Sequence, residues 1–156
     1  PLHILDSVIL SKYPLTNIKV DDNHIVTANL ILNETEISIV GIHLYPGTTK
    51  KYFNYALQQI NYLKTVVSNT NKNLILLGDL NMSFTSKRFT NFLEETNLYT
   101  YISYNNIIST WPTYVPSFLG IQIEHVIFSN NFKMIDKSTA NSCGSDHRPL
   151  IVELSY

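Results

Sequence analysis

The chain has 156 residues, a formal net charge of -1 and 44% hydrophobic residues, which suits one globular domain with a buried core. Only 15% of the residues are charged, and this excludes the low-hydrophobicity, high-charge composition of a disordered chain. The near-neutral charge also excludes a strongly basic nucleic-acid-binding arm, although it neither requires nor excludes DNA or RNA as a partner. We therefore expect a single domain over residues 1–156.

Cys143 is the single cysteine, so an intrachain disulfide and a cysteine-rich zinc site are both excluded, and a reducing compartment such as the cytoplasm fits. No run reaches the roughly 18 consecutive apolar residues of a membrane span, and the first residues lack the pattern of a signal peptide. A targeting segment upstream of Pro1 stays open, and so does the oligomeric state.

The first predicted element is a β-hairpin. Residues 25–32 and 37–43 are apolar or alternate between apolar and polar, and the polar residues 33–36 between them are typical of a turn. Residues 50–68 follow with apolar side chains at three- and four-residue spacing, which predicts an amphipathic helix that covers one face of a sheet.

The apolar run 74–77 ends at Gly78 and predicts a strand buried on both faces. Residues 86–95 predict a second helix, with Thr85 or Ser86 as the N-cap. The aromatic-rich stretch 99–120 contains two prolines and predicts a surface loop with at most a short strand.

Two further strands are predicted towards the end of the chain, at residues 121–129 and 150–154, with a polar loop at 141–149 before the last one.

Three polar clusters lie beside predicted strands: GDLN at 78–81, EH at 124–125 and SDHRP at 145–149. His43, at the end of the strand 37–43, is a fourth candidate. In layered α/β proteins ligand sites form where loops leave strand ends, so these clusters are expected to converge on one crevice. Carboxylates, imidazoles and one amide, without an activated Ser or Cys nucleophile, favour metal-assisted hydrolysis.

The motifs LILLGDLN at 74–81, IEHVIFS at 123–129 and SDHRPLIVEL at 145–154 occur in the order found in the endonuclease/exonuclease/phosphatase superfamily, which this chain resembles. SVILSKYPL at 7–15 and GIHLYPG at 41–47 are weaker matches in the expected order. That superfamily includes DNase I-like nucleases, apurinic endonucleases, inositol polyphosphate phosphatases and sphingomyelinases. TWPTYVP at 110–116 is similar to an uncharacterised bacterial branch more than to the DNA repair enzymes.

The resemblance implies a DNase I-like four-layer α/β/β/α sandwich that hydrolyses phosphate esters with Mg²⁺ or Mn²⁺. It also implies that Asp79 orients or deprotonates the attacking water, that Asn81 holds the scissile phosphate and that Asp146 binds the metal. We assign Asp79 to the metal site as well.

By the same resemblance, His147 contacts the phosphate and assists proton transfer, Glu124 orients the His147 imidazole, and His43 is a second imidazole at the phosphate. The implied partner is a phosphorylated substrate, with nucleic acid as one option among inositol and lipid phosphates.

Two departures from the family pattern bear on this assignment. Glu124 stands where the family usually has Asp, and its additional methylene moves the carboxylate by about an ångström or more. The family also carries an Asn and a metal-binding Glu ahead of its ILSRYPL segment, and neither precedes SVILSKYPL here. We therefore expect the chain to be either a piece of a longer protein or a family fold that lacks its leading strands.

Each cluster also has a purely structural interpretation. GDLN is a plausible polar turn, Asp146-His147 a loop ion pair, Glu124 a strand-edge carboxylate and His43 a hydrogen-bonded structural residue. We expect His125 to be structural, because its side chain faces away from that of its neighbour Glu124 in a strand. We interpret Lys50-Lys51 and Lys87-Arg88 as solvated faces. Trp111 suits either the core or a surface on which a base or sugar stacks.

The sequence leaves two functions open. The first is metal-dependent hydrolysis of a phosphodiester or phosphomonoester by direct attack of water. The second is a non-catalytic relative that binds a phosphorylated ligand or a partner through the remaining groove.

Overall fold

The computed structural model describes residues 7–101 and 108–156. Within these ranges the chain forms seven β-strands, two α-helices and one short 3-10 helix at Ser117–Leu119. In chain order the strands and α-helices are β1 (Thr16–Val20), β2 (Ile25–Leu32), β3 (Thr35–His43), α1 (Lys50–Ser68), β4 (Leu74–Asp79), α2 (Lys87–Thr96), β5 (Glu124–Phe128), β6 (Lys133–Thr139) and β7 (Leu150–Ser155).

The strands form two sheets. The central sheet has the order β1-β2-β3-β4-β5, in which β3 and β4 are parallel and the other neighbours are antiparallel. Helix α1 connects the two parallel strands, as a parallel pair requires. The second sheet is the antiparallel pair β6 and β7.

The central sheet packs on both faces. One face contacts α1 and α2 through a core of aliphatic and aromatic side chains that includes Val40, Leu76, Leu63 and Phe92. The other face packs against the second sheet through a smaller cluster that includes Ile39, Ile75, Val126 and Leu154. Alternate side chains of a strand point to opposite faces, so a single strand such as β4 contributes to both cores.

The α/β sandwich expected from the sequence is confirmed. Within the described residues it has three layers, helices, central sheet and second sheet, because both α-helices pack on the same face of the central sheet. Neither of these two helices combines the length and the apolar character that crossing a membrane requires.

The predicted hairpin and both predicted helices are confirmed. β2 and β3 pair from Ile25 opposite Ile42 to Leu32 opposite Thr35, so the turn contains two residues rather than four. Those two residues, Asn33 and Glu34, both adopt positive φ, the geometry that a tight two-residue hairpin requires.

Each helix begins with a side-chain cap. The hydroxyl of Thr49 accepts a hydrogen bond from the backbone of Tyr52, and that of Ser86 accepts one from Phe89. Of the two N-cap candidates for α2, Ser86 is therefore the one used.

Several predicted boundaries are wrong. β4 extends through Asp79, and β5 begins at Glu124 instead of residue 121. The sequence does not predict β1 or β6. All five residues of β1 are exposed, and β6 has the mostly polar sequence KMIDKST, so neither strand has a clear buried apolar face.

The surface loop predicted at 99–120 is also partly wrong. Thr110 is fully buried, and Ile108, Ser109 and Pro112 are buried with it, because this segment lies under the loop that precedes β7. Residues 102–107 of the predicted loop lie outside the described residues.

Candidate active site

The register of the central sheet aligns three of the predicted site residues in one row. His43 at the end of β3 is paired with Asp79 at the end of β4, and Asp79 is paired with Glu124 at the start of β5. Paired residues project their side chains to the same face of a sheet. Ile39 and Ile75, which share this face, pack against the second sheet, so the row lies at the edge of the interface between the two sheets.

Gly78 allows β4 to pass close to β3 immediately before Asp79. Its φ is +145°, and a Cβ built at this position would lie 1.8 Å from the carbonyl oxygen of Ile42. A side chain would therefore collide with backbone that cannot move without breaking the parallel pairing. The glycine of the GDLN motif thus fixes the position of the carboxylate that follows it.

Asn81 holds the Asp79 carboxylate in place. The backbone N–H of Asn81 donates to Oδ1 of Asp79 at 2.8 Å, and its side-chain Nδ2 donates to Oδ2 at 3.3 Å. The same Nδ2 donates to the carbonyl oxygen of Leu44 at 2.8 Å, which ties the carboxylate to the loop after β3.

Glu124 reaches His147 despite being longer than the usual Asp. Its Oε1 contacts Nδ1 of the imidazole in a short charge-assisted contact, and both side chains are largely shielded from solvent. This contact is the one that the predicted role of Glu124, orienting the His147 imidazole, requires. Nε2 of His147 has no hydrogen-bond partner among the described residues, so it is the nitrogen available to a ligand.

The loop that carries His147 is docked on the buried segment that follows residue 108. The backbone N–H of Arg148 donates to the carbonyl oxygen of Thr110 at 2.7 Å, and the backbone N–H of Thr113 donates to the carbonyl oxygen of Asp146 at 2.9 Å. The guanidinium of Arg148 donates to three carbonyl oxygens, those of Pro112, Thr113 and Val115. These contacts bring His147 to the row of strand residues from a distant part of the sequence.

Asp146 faces Trp111 at the border of the site. Its Oδ2 accepts a hydrogen bond from the indole Nε1 of Trp111 at 3.2 Å, and the Trp111 ring lies 6.4 Å from that of His147. Within the described residues, the group of side chains with metal-ligand atoms inside 4.8 Å of one another consists of Asp79, Glu124 and His147.

Burial and neighbouring charges shift the pKa values of three side chains of the site. Burial raises the pKa of Asp79 to about 6, against the lowering effect of its hydrogen bond from the Asn81 backbone. Burial lowers the pKa of His147, but the hydrogen bond and charge of Glu124 outweigh it and raise the pKa above its ordinary value. For His43, burial and then the charge of His147 lower the pKa, and its Nε2 lies 3.4 Å from Oδ2 of Asp79.

His43, Asp79 and His147 lie on the floor of an open cavity of about 980 Å³; Glu124 contacts His147 but does not itself line the cavity. We call the set His43, Asp79, Glu124 and His147 the catalytic floor; Asn81, Trp111 and Ile123 lie beside it on the cavity wall. The cavity volume is at the upper end of the range for ligand sites, so it has room for more than one phosphate group.

His125 is structural, as predicted. Its side chain is 1% exposed, its Nε2 lies 2.7 Å from the carbonyl oxygen of Met82, and its ring packs 4.3 Å from that of Phe89. Cys143 is a free, exposed thiol.

Gln59 supports the backbone beside the site, but it is not among the residues predicted from the sequence. Gln59 of α1 is buried. Its Oε1 accepts a hydrogen bond from the backbone N–H of Tyr45 at 2.8 Å, and its Nε2 donates to the carbonyl oxygen of Asn23. A polar residue on the apolar stripe of a helix is the signal that the sequence offers for it. Lys51, which is exposed, and Arg88, which is partly buried, also line the cavity, a placement that the sequence does not predict.

The sequence matches the Endonuclease/Exonuclease/phosphatase family over residues 6–147. This chain therefore belongs to that family, and the resemblance noted from its motifs is confirmed.

Solved structures of the DNase I-like superfamily share the fold. A 3′ phosphatase from Neisseria, bound to a product DNA hairpin, is 13% identical with a TM-score of 0.72, over 94% of this chain and 73% of that one. An endonuclease/exonuclease/phosphatase from Beutenbergia cavernae is 14% identical with a TM-score of 0.72, over 92% and 46% of the two chains.

A mutant of beta toxin from Staphylococcus aureus, with bound magnesium ions, is 14% identical with a TM-score of 0.61, over 90% and 64%. This chain thus spans between about half and three quarters of the length of these three structures. No curated protein matches the sequence significantly.

Proposed function

We propose that this chain carries the active site of a metal-dependent phosphoric ester hydrolase that cleaves a phosphodiester or phosphomonoester by direct attack of water. The observation that carries the proposal is the convergence of Asp79, Glu124 and His147, from three distant segments, within 4.8 Å of one another beside an open cavity. Family membership supports the same reaction class, because the family unites nucleases with phosphatases.

The donor set fits a hard divalent cation, Mg²⁺ or Mn²⁺, since carboxylate oxygens are the ligands that such ions prefer. Oε2 of Glu124 is buried without a hydrogen-bond partner among the described residues, and a cation beside it would compensate its charge. Asp79 would supply a second carboxylate oxygen. Asp146, the metal ligand that the resemblance implies, is not part of the group within 4.8 Å. When bound, the ion would neutralise the phosphate oxygens and stabilise the charge that develops during attack.

The protein groups would divide the proton transfers between them. The Asp79 carboxylate accepts a proton from the attacking water as the new phosphorus–oxygen bond forms, and the two hydrogen bonds from Asn81 hold it in position. His147, held at Nδ1 by Glu124, gives a proton from Nε2 to the leaving ester oxygen as its bond to phosphorus breaks. The products are a phosphate with one ester bond fewer and an alcohol.

Asn81 and His43 would bind the phosphate. The amide of Asn81 adds no negative charge, but its Nδ2 already donates to Leu44 and Asp79, so a phosphate contact would replace one of these bonds. His43 can donate an N–H to a phosphate oxygen; its Nε2 lies 3.4 Å from Oδ2 of Asp79, so a phosphate contact through Nε2 would replace that contact.

The test is hydrolysis of bis-p-nitrophenyl phosphate and of plasmid DNA with Mg²⁺ or Mn²⁺, compared with the same reactions in a chelator. We expect metal-dependent hydrolysis that Asp79→Ala lowers by about 10²–10⁴-fold, the usual contribution of a general base. Asp136→Ala, which removes an exposed carboxylate from β6, is the control and is expected to leave the rate unchanged.

A rate that is equally low in the wild type, the control and Asp79→Ala would contradict the enzymatic proposal. It would favour the second function that the sequence leaves open, a non-catalytic relative that binds a phosphorylated ligand.

A further inference from the structure

The cavity extends from the catalytic floor to a second wall that the proposed reaction does not use. The loop after β3 and the first two turns of α1 contribute three tyrosines, Tyr45, Tyr52 and Tyr55, which we call the aromatic wall. The rings of Tyr45 and Tyr52 are stacked at 5.7 Å with 9° between their planes, and Tyr45 and Tyr55 lie 5.4 Å apart. Mutual packing therefore fixes the rings before any ligand arrives.

The rings remain open to the cavity although they are large and mostly apolar. Tyr52 and Tyr55 are each 37% exposed. A row of exposed aromatic rings beside a catalytic cavity is typical of a surface that a ligand covers, because water contact with such rings is unfavourable.

Two cations lie beside these rings. Lys51 Nζ is 5.7 Å from the centre of the Tyr55 ring, and the Arg88 guanidinium lies 4.9 Å above the ring of Phe53. Within the described ranges neither cation has a carboxylate at salt-bridge distance; the ion pairs found there are His43–Asp79, Lys64–Glu95 and His147–Glu124. Both positive charges line the cavity and are available to an anion.

We propose that the aromatic wall, with Lys51 and Arg88, binds an unpaired nucleotide adjacent to the phosphate that is cleaved, so that the substrate is a single-stranded or frayed nucleic-acid end. The proposal rests on the proposed function for the identity of the cleaved bond. A base stacks on the exposed ring of Tyr52, and the neighbouring phosphates of the strand meet the two cations.

The combination of rings and cations favours this substrate over others. A sugar monophosphate offers one anionic group, which the catalytic floor already binds, and leaves Lys51 and Arg88 without a partner. A duplex hides the faces of its bases in the stack, so it cannot use the rings unless its end opens. A strand with successive phosphates and unpaired bases matches both features.

The first test measures binding without catalysis. Fluorescence anisotropy of a labelled single strand of about eight nucleotides, in a chelator and at low salt, reports the dissociation constant while no hydrolysis occurs. We expect Tyr52→Ala to weaken binding about fivefold or more, as loss of one stacked base does. Tyr52→Phe keeps the ring and is expected to bind like the wild type.

Tyr62→Ala is the matched control, because Tyr62 lies on the same helix, is 38% exposed and does not line the cavity. It is expected to bind like the wild type. A circular-dichroism melt of each variant identifies any that fails to fold. If Tyr52→Ala fails, Tyr52→Leu, which keeps a large apolar side chain but no ring, takes its place and is likewise expected to weaken binding.

The cations are tested by salt dependence. Arg88→Gln is expected to reduce the slope of log affinity against log salt concentration by about 0.7, the value for one phosphate contact on a single strand. Lys87→Gln, at the adjacent exposed position outside the cavity, is expected to leave the slope unchanged.

Three results would overturn the proposal: equal binding of a strand that lacks bases, equal effects of Tyr52→Ala and Tyr62→Ala, or no binding of the single strand at all. Binding of phosphatidylserine vesicles that Tyr52→Ala abolishes, without strand binding, would assign the wall to a membrane surface instead. Failure of the proposed function looks different: strand binding in the chelator would persist while no metal supports hydrolysis.

Discussion

The two sides of the cavity are built in opposite ways. The catalytic floor collects four side chains from four segments of the chain, and strand register and hydrogen bonds fix them. The aromatic wall comes from one short segment, residues 45–55, and ring packing fixes it. The geometry of the floor therefore depends on the whole fold, so few substitutions would preserve it. The shape of the wall depends only on the sequence of one short segment, so substitutions there could alter it without disturbing the fold. The difference predicts that the floor determines the reaction and the wall determines the substrate.

Removing His147 is expected to have the largest effect. His147→Gln removes the proposed proton donor, so hydrolysis of bis-p-nitrophenyl phosphate is expected to fall about 10²–10⁴-fold. Binding of the single strand in chelator, which the wall provides, is expected to change far less. The comparison of floor and wall fails if His147→Gln weakens strand binding as much as it slows hydrolysis.

His125 is adjacent to Glu124 in the sequence, but its side chain points into the core. It is therefore expected to affect stability rather than the reaction. Burial lowers its pKa to about 4 from the ordinary 6.5, so the folded state resists a proton that the unfolded state accepts. Stability is thus complete above pH 6.5 and falls as the pH drops towards 4. At pH 4.5 we expect a loss of about 2–3 kcal/mol in the free energy of unfolding relative to pH 7.

Urea denaturation of the wild type and of His125→Gln at the two pH values measures this loss. The difference between the proteins isolates the imidazole from carboxylates that titrate in the same range, including Asp79. An identical pH dependence of the two proteins would show that His125 is not held neutral by the core.

In the proposed mechanism, Glu124 acts on the reaction through His147. Glu124→Gln is expected to lower kcat/KM by about 10–100-fold, the usual effect of losing a group that orients a catalytic side chain. Because Glu124 raises the pKa of His147, its neutralisation lowers that pKa. The alkaline limb of the kcat/KM profile is therefore expected to move to lower pH. A uniform loss of rate at all pH values would indicate a structural role only.

The smallest expected effect concerns the N-cap of α2, the helix that carries Arg88. Ser86→Ala removes the hydroxyl that accepts the backbone N–H of Phe89, at a cost of about 1 kcal/mol in the free energy of unfolding. Thr85→Ala is the matched control, because Thr85 lies outside the capping geometry. Equal losses in thermal denaturation would mean that Ser86 does not cap the helix.

The sequence predicts the elements whose apolar spacing is strong. α1 and the β2–β3 hairpin carry this signal along their whole length, since one side of each is buried. β1 and β6 are largely exposed strands with polar side chains, so their pairing depends on neighbours that a local pattern does not contain.

The candidate site divides in the same way. Family motifs identify the floor residues, and the structure brings Asp79, Glu124 and His147 together. Lys51 and Arg88 look like any solvated cations in sequence, because only the tertiary packing of two helices brings both to one cavity.

Residues 110–113 (TWPT) include two threonines and a proline, residue types that are common in surface loops, although the segment is largely shielded from solvent. The hydrogen-bonding groups of Thr110 are satisfied by the distant Arg148 and Ile123 backbones. Those partners are 38 and 13 residues away in the chain, so a local pattern does not reveal them.

Binding of Mn²⁺ to the purified chain tests the central claim most directly. Electron paramagnetic resonance measures free Mn²⁺, so a titration reports the number of sites and their affinity without any substrate. The wild type is predicted to bind Mn²⁺ at a site that Asp79→Ala weakens or abolishes and that Asp136→Ala leaves intact. Equal Mn²⁺ binding by the wild type and Asp79→Ala, or none by either, would contradict the account of the floor as a metal-dependent catalytic site.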